Sequence, residues 1–272
     1  MNDVFTLDQG DGPLLISCPH VGVLLPDALA QRLTPPGRAL VDTDWDVDRL
    51  YPFARELGAT VLRARQSRYV IDLNRDPEGI SLYPGAHTSA LCPVETFEGE
   101  PLYRSGMEPT DHEVRERRAQ WWDPYHDALQ GELARVRAAH GFALLLDAHS
   151  IWGRLPLLFE GELPDINLGT NSGRSCDAEM TRAVVDALAG SSYGHVVDGR
   201  FKGGYITRRY GSPAHEVHAL QIELNQRTYL RDGSRRAFDE AKAAALTVVL
   251  RAVCEAMLRW GTRATHVTAP PL

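Results

Sequence analysis

The run Phe142-Ala143-Leu144-Leu145-Leu146 is apolar at every position and stops abruptly at Asp147-Ala148-His149-Ser150. A strand without polar alternation must be covered on both faces, as strands of a mostly parallel α/β sheet are. Two more apolar runs end in polar groups. Leu14-Leu15-Ile16 leads into Ser17-Cys18-Pro19-His20, and Leu220-Gln221-Ile222 leads into Glu223-Leu224-Asn225. Ligands of open α/β sheets bind at the carboxyl ends of strands. Histidine and carboxylate at several such ends can build a metal site from distant stretches of chain.

The intervening sequence alternates helix and strand patterns, which predicts α/β architecture with helices on both faces of the sheet. Strands are expected at Leu14–Ile16, Thr60–Leu62, Tyr69–Ile71, 142–146, Leu157–Phe159, near Ile206, and at 218–223. Helical spacing marks Arg49–Leu57, with Gly58 as a stop, and Ala178–Leu188. Pro26–Leu40 suits a short helix and loops. Thr110-x-x-Glu113 is a capping box opening a helix to about His140, which Pro124 should kink or split. A terminal helix is expected from Ser234 to about Trp260, with a loose tail from Gly261. Residues 76–109, rich in Pro and Gly, form a long excursion of the kind that folds over a site.

At 272 residues the chain fits one large α/β domain or two small ones, and no repeat or low-complexity linker divides it. A net charge of −7 argues against nucleic-acid or membrane-surface partners but permits an anionic small substrate. No apolar stretch approaches the ~18 residues that span a bilayer. The four cysteines are scattered, without a C-x-x-C pair, and no signal-peptide pattern is present, so a reduced cytoplasmic location is the simplest reading. The G-x-G-x-x-G, P-loop, H-E-x-x-H and G-x-S-x-G signatures are absent.

Several groups could carry chemistry. His20 and His149 follow strands, and Asp147 is either a further ligand or a carboxylate holding the second ring nitrogen of His149. Asp42, Asp44, Asp46 and Asp48 alternate with other residues. A helix N-terminus explains one or two of them, whereas four repel one another unless a cation sits nearby. Glu223 is either a salt-bridged strand end or a general base. Arg68, Asn74 and Arg75 flank an apolar stretch and suit a carboxylate, although an Asp72–Arg75 pair is the plain alternative. The segment 199–211 sets Arg200, Lys202, Arg208 and Arg209 among four glycines, either as a solvated loop or as an anion site. His215 and His218 are read as structural.

Taken together, these segments resemble the N-formylglutamate deformylases, or N-formylglutamate amidohydrolases, of histidine degradation. The resemblance rests on Pro19-His20-Val21-Gly22, Asp42-Thr43-Asp44-Trp45, Asp48-Arg49-Leu50-Tyr51, Ser67 through Arg75, Ser81-Leu82-Tyr83-Pro84-Gly85, Asp147-Ala148-His149-Ser150, Leu158-Phe159-Glu160-Gly161, Gly199 through Thr207, and Gln221-Ile222-Glu223-Leu224. It spans most of the chain and implies one domain, 1–272, with a three-layer fold similar to zinc carboxypeptidases and a mixed, mostly parallel sheet. The more distant carboxypeptidase similarity implies zinc on His20 and His149, with Glu223 as base. It implies Asn74 and Arg75 on a substrate carboxylate, and Tyr205 as a mobile site residue. The position matching the carboxypeptidase carboxylate ligand holds Val23, so Asp44 is preferred over Asp42 and Asp46. Asp46 stands where a deformylase histidine is expected.

The activity so implied is hydrolysis of N-formyl-L-glutamate, a dianionic small molecule. Arg68, Lys202, Arg208 and Arg209 would supply charge for its second carboxylate. Zn2+ is the expected cofactor, while cobalt, manganese or iron would also suit N/O ligands. The rivals are an amidohydrolase of another N-acyl amino acid or peptide C-terminus, and a non-catalytic anion-binding protein. The sequence leaves a homo-oligomer open.

Overall fold

A computed structural model describes residues 4–82, 85 and 88–268, with side chains to Arg263. Tyr83, Pro84, Ala86 and His87, within the excursion, lie outside the described residues, as do 269–272 of the tail. Seven strands form one mixed sheet: β1 Phe5–Asp8, β2 Leu14–Cys18, β3 Thr60–Ala64, β4 Ala143–Ile151, β5 Ile166–Gly169, β6 His195–Val197 and β7 Val217–Asn225. Their order is β1-β3-β2-β4-β7-β5-β6. Pairing is parallel for β2 with β3, β2 with β4, β4 with β7 and β5 with β6, and antiparallel at β1–β3 and β5–β7.

The helices are α1 Asp27–Ala30, α2 Pro35–Ala39, α3 Asp111–Arg117, α4 Asp123–His140, α5 Ala178–Ala189, α6 Tyr205–Tyr210 and α7 Glu240–Thr268. Strand alternation sends Ile16, Leu144, Leu146 and Leu220 to one face of the sheet. There they pack with Val184 and Leu188 of α5 and Leu246, Leu250 and Met257 of α7. Leu15, Leu145 and Ala219 point to the other face, where Tyr125, Leu129, Leu133 and Val136 of α4 cover them. Two covered faces explain why the central strands carry unbroken apolar runs.

Thr110 caps α3 by accepting a hydrogen bond from the Glu113 amide, and a π-helical turn, Arg118–Trp122, separates α3 from α4 just before Pro124. Proline cannot donate to the preceding turn, and the wider turn absorbs the missing bond.

Six expectations are corrected. Residues 49–57 form only a short 3-10 turn, Val47–Leu50, followed by turns that the Ala59 amide closes onto Ala54 O. Tyr69–Ile71 is not a strand. The Ser67 hydroxyl accepts from the Tyr69 amide and Asp72 Oδ1 accepts from the Asn74 amide, and such side-chain bonds compete with sheet pairing. Leu157–Phe159 is a turn whose amides return to Leu155 O, and Ile206 lies inside α6. The terminal helix starts at Glu240 because 231–239 folds back, with Asp239 Oδ1 accepting from the amides of Ala241 and Lys242. It continues past Gly261 to Thr268, so through 268 the tail is helical. Gly261 serves close packing: a Cβ there would lie 2.2 Å from the Phe142 ring.

His126 of α4 is buried in this frame. Its Nε2 bonds Leu73 O at 2.9 Å, which only a ring N–H can do, so Nδ1 accepts from the Tyr210 hydroxyl, also at 2.9 Å. Burial lowers its pKa to about 4. The unfolded chain takes up this proton near pH 6.5 and the native protein only near 4, so stability falls as pH drops between those values. The expected loss is about 3 kcal/mol. Urea unfolding from pH 7 to 4.5 should show this slope, and His126→Phe should flatten it. An unchanged slope in the variant would reject a neutral buried His126.

Candidate active site

The ends of β2, β4 and β7 lie side by side, and His149 is paired with Glu223 in register. His20 follows β2 in a turn, and its carbonyl accepts from the Asp44 amide at 3.1 Å, which draws the acidic stretch to the sheet. His149 Nδ1 lies 3.0 Å from Asp44 Oδ2, and His20 Nδ1 lies 3.7 Å from the same oxygen. One donor atom from each of the three residues falls within 4.8 Å of the others, and all three are buried.

The outer ring nitrogens are held as well. His20 Nε2 is 2.8 Å from Asp72 Oδ1. His149 Nε2 is 3.0 Å from Asp147 Oδ1 and 2.9 Å from Asn74 Nδ2. The Asn74 amide donates to this ring nitrogen, so His149 donates through Nδ1 to Asp44, and Asp147 Oδ1 lies close without a hydrogen bond. With its Nε2 donating to Asp72, His20 presents its Nδ1 lone pair inward, the arrangement of a metal-bound histidine backed by a carboxylate. His20 Nδ1 is buried without a hydrogen-bond partner. Such an orphan is costly in a site this polar unless a ligand completes it. The donor set thus fits a divalent cation.

The buried Arg68 pairs with Asp72 at 2.6 Å and lies 3.8 Å from Asp44. Burial alone would raise the Asp44 carboxyl, but the His149 hydrogen bond and the charge of the two imidazoles outweigh it and hold the group well below the usual range. Burial opposes a charged His149 ring, yet Asp147 and Asp44 raise its pKa. Asp72 is held low against burial by Arg68, Arg75 and His20. Glu223 behaves oppositely. Burial, with Asp44 and Asp147 nearby, pushes it up to about 8, although His149 and Arg68 pull it down.

A cavity of about 80 Å³ opens onto these groups, with Arg68, Asn74, Arg75 and Arg200 among its walls. Thr88, Ser89, Glu95, Thr96 and Phe97 of the excursion also line it. The Arg75 guanidinium is steered by Ser89 Oγ and the carbonyls of Asn74 and Ser89.

The family model for N-formylglutamate amidohydrolase matches residues 12–230. The chain belongs to that family. It is 47% identical to the N-formylglutamate deformylase of Pseudomonas putida over 262 residues, covering 96% of this chain and 98% of that protein. Its identity to the Pseudomonas aeruginosa N-formylglutamate deformylase is 48% over 262 residues, with the same coverage. The crystal structure of an N-formylglutamate amidohydrolase from Ralstonia eutropha superposes with a TM-score of 0.79 at 25% identity, covering 98% of this chain and 100% of that one. A gene product of Agrobacterium tumefaciens has the same fold, with a TM-score of 0.72 at 19% identity over 93% of this chain and 94% of that one.

Within this N-formylglutamate amidohydrolase-family chain, His20, Asp44, His149, Asp147, Glu223, Arg68, Asn74 and Arg75 gather at one place. The other aspartates of the acidic stretch do not reach the imidazoles. Asp42 accepts from the Tyr69 hydroxyl and the Phe97 amide, Asp46 pairs with Arg49, and Asp48 pairs with Arg63. Lys202, Tyr205, Arg208 and Arg209 fall outside the cavity wall. The chain turns into α6 after Gly204, so these positions face other ways. Tyr205 packs on Trp122 and His126, Arg208 bonds Gly203 O and Leu82 O, Arg209 lies by Tyr210, and Lys202 is exposed. Arg200 of the same cationic segment reaches the cavity instead. Sequence reasoning also passed over Gln221, whose signal was its place two residues before Glu223 on the same strand face. Asp72 carries no sequence signal beyond its spacing to Arg75.

Proposed function

We propose that the chain hydrolyses N-formyl-L-glutamate to formate and L-glutamate with a divalent metal, zinc being the natural first choice for two imidazoles and a carboxylate. The reading is carried by the unpartnered His20 Nδ1 facing Asp44 and His149 beside a buried Glu223, in a chain of this family. Its place in histidine degradation rests on the family resemblance alone.

His20, Asp44 and His149 would hold the metal. Once bound, it would supply Lewis-acid activation of the formyl oxygen and a water nucleophilic near neutral pH. Asp72 keeps the His20 ring in the required tautomer, and Asn74 and Asp147 hold the His149 ring in place. Glu223 accepts the proton of the attacking water and delivers it to the departing amide nitrogen, so glutamate leaves as an amine. A nearby cation also favours the ionised form of this carboxylate, which burial alone disfavours. Arg75, oriented by Ser89, grips one substrate carboxylate in its planar fork. Arg200 and the buried Arg68 supply positive charge for the remaining anionic groups.

Formate release from N-formyl-L-glutamate, compared with N-acetyl- and N-succinyl-L-glutamate, tests the reading. Turnover of the formyl compound should dominate. Preference for another acyl group would reassign the substrate. Arg75→Lys should raise KM about tenfold or more with kcat little changed, because lysine offers a point charge in place of a fork. An unchanged KM would remove Arg75 from substrate binding.

A further inference from the structure

Gln221 stands on β7 two residues before Glu223 and therefore on the same face of the sheet. It is 3% exposed, and both ends of its amide are engaged. Oε1 accepts from the Gly204 backbone N–H at 2.6 Å, and Nε2 donates to Glu223 Oε2 at 3.1 Å. The backbone donor leaves the amide one orientation: its oxygen faces Gly204, so its NH2 faces the carboxylate. Gly204 ends the segment that brings Arg200 and Phe201 to the cavity. It approaches Asn74 so closely that a Cβ there would lie 2.3 Å from the side-chain amide. The next turn is fixed similarly, since the Ile206 amide donates to Asn74 Oδ1 and the Thr207 hydroxyl to Asp147 Oδ2.

We infer that Gln221 is a positioning residue that fixes the Glu223 carboxylate for proton transfer and locks it to the substrate-facing 199–204 segment. This rests on the reading of Glu223 as the base. A glutamate side chain in a cavity retains rotamer freedom, and a hydrogen bond to its charged oxygen removes much of it. Glu223 Oε2 is occupied by this donor, so the other carboxylate oxygen is left for the water and the leaving nitrogen. The opposite end of the same amide senses the 199–204 backbone, so the base and one cavity wall are aligned by one side chain.

The test uses the metal-loaded full-length enzyme and formate release from N-formyl-L-glutamate. Gln221→Glu keeps an oxygen for the Gly204 amide but removes the donor to Glu223. Gln221→Met removes both contacts at similar length. Both variants should lower kcat by about 10- to 100-fold, with KM within about threefold and metal content unchanged. In a Glu223→Gln background, Gln221→Glu should produce no further loss, because two residues acting through one step are not additive. Wild-type kcat in Gln221→Glu would overturn the inference and reduce Gln221 to an anchor for the loop. A rise in KM alone, or a full additional loss in the Glu223→Gln background, would overturn it too. If Gln221→Met fails to fold, Gln221→Glu decides. Glu223→Gln with wild-type turnover would instead reject the base reading itself.

Discussion

Glu223→Gln is expected to lower kcat for N-formyl-L-glutamate by about 10²- to 10⁴-fold, the usual contribution of a positioned acid–base group. KM and bound metal should stay near wild type, since the amide keeps the shape and Glu223 is not among the three residues that gather donor atoms on a common centre. The size of the loss follows from the burial of the carboxylate at 7% exposure. In that setting bulk water gives little help in moving the proton. The measurement is steady-state kinetics with metal analysis on the same preparation. Near-normal turnover would mean that another group takes the proton.

Metal removal should have the second large effect. Dialysis against a chelator is expected to bring formate release to background, and added zinc should restore it. The same treatment should destabilise the fold. Asp44 with its two imidazoles then loses its cation, and Asp72 is left polarising an uncoordinated His20 ring. With free metal at 100 times Kd, binding adds about 2.7 kcal/mol of stability, so the melting temperature should rise with metal concentration. Turnover that survives chelation would break the mechanism, and a melting temperature indifferent to metal would show that the triad binds none.

The chemistry-bearing strand ends were legible because a fully buried strand tolerates few polar residues. His149 after Leu144–Leu146 and Glu223 after Leu220–Ile222 stood out against that background. The capping box at Thr110 and the split before Pro124 were legible too, because both depend on residues within one turn of each other. Tyr69–Ile71 misled for the opposite reason. Its β-branched and aromatic residues suggest a strand, but Ser67 and Asp72 bond the backbone locally and the side chains find burial without a partner strand. Gly261 misled as a helix stop, since its missing Cβ answers the proximity of Phe142, more than a hundred residues away in sequence.

Sequence alone determined the α/β architecture and singled out the two histidines and Glu223 as candidates. Each of these is a local contrast between a residue and its immediate neighbours. Only the tertiary structure decided that Asp44 faces the imidazoles while Asp42 and Asp46 turn elsewhere, and that Arg200 reaches the cavity while Arg208 and Arg209 do not. Residues one or two positions apart in a turn look alike in composition. Which of them points inward is set by backbone direction after β2 and at the start of α6, and distant hydrogen bonds fix that direction: the Asp44 amide to His20 O and the Gly204 amide to Gln221.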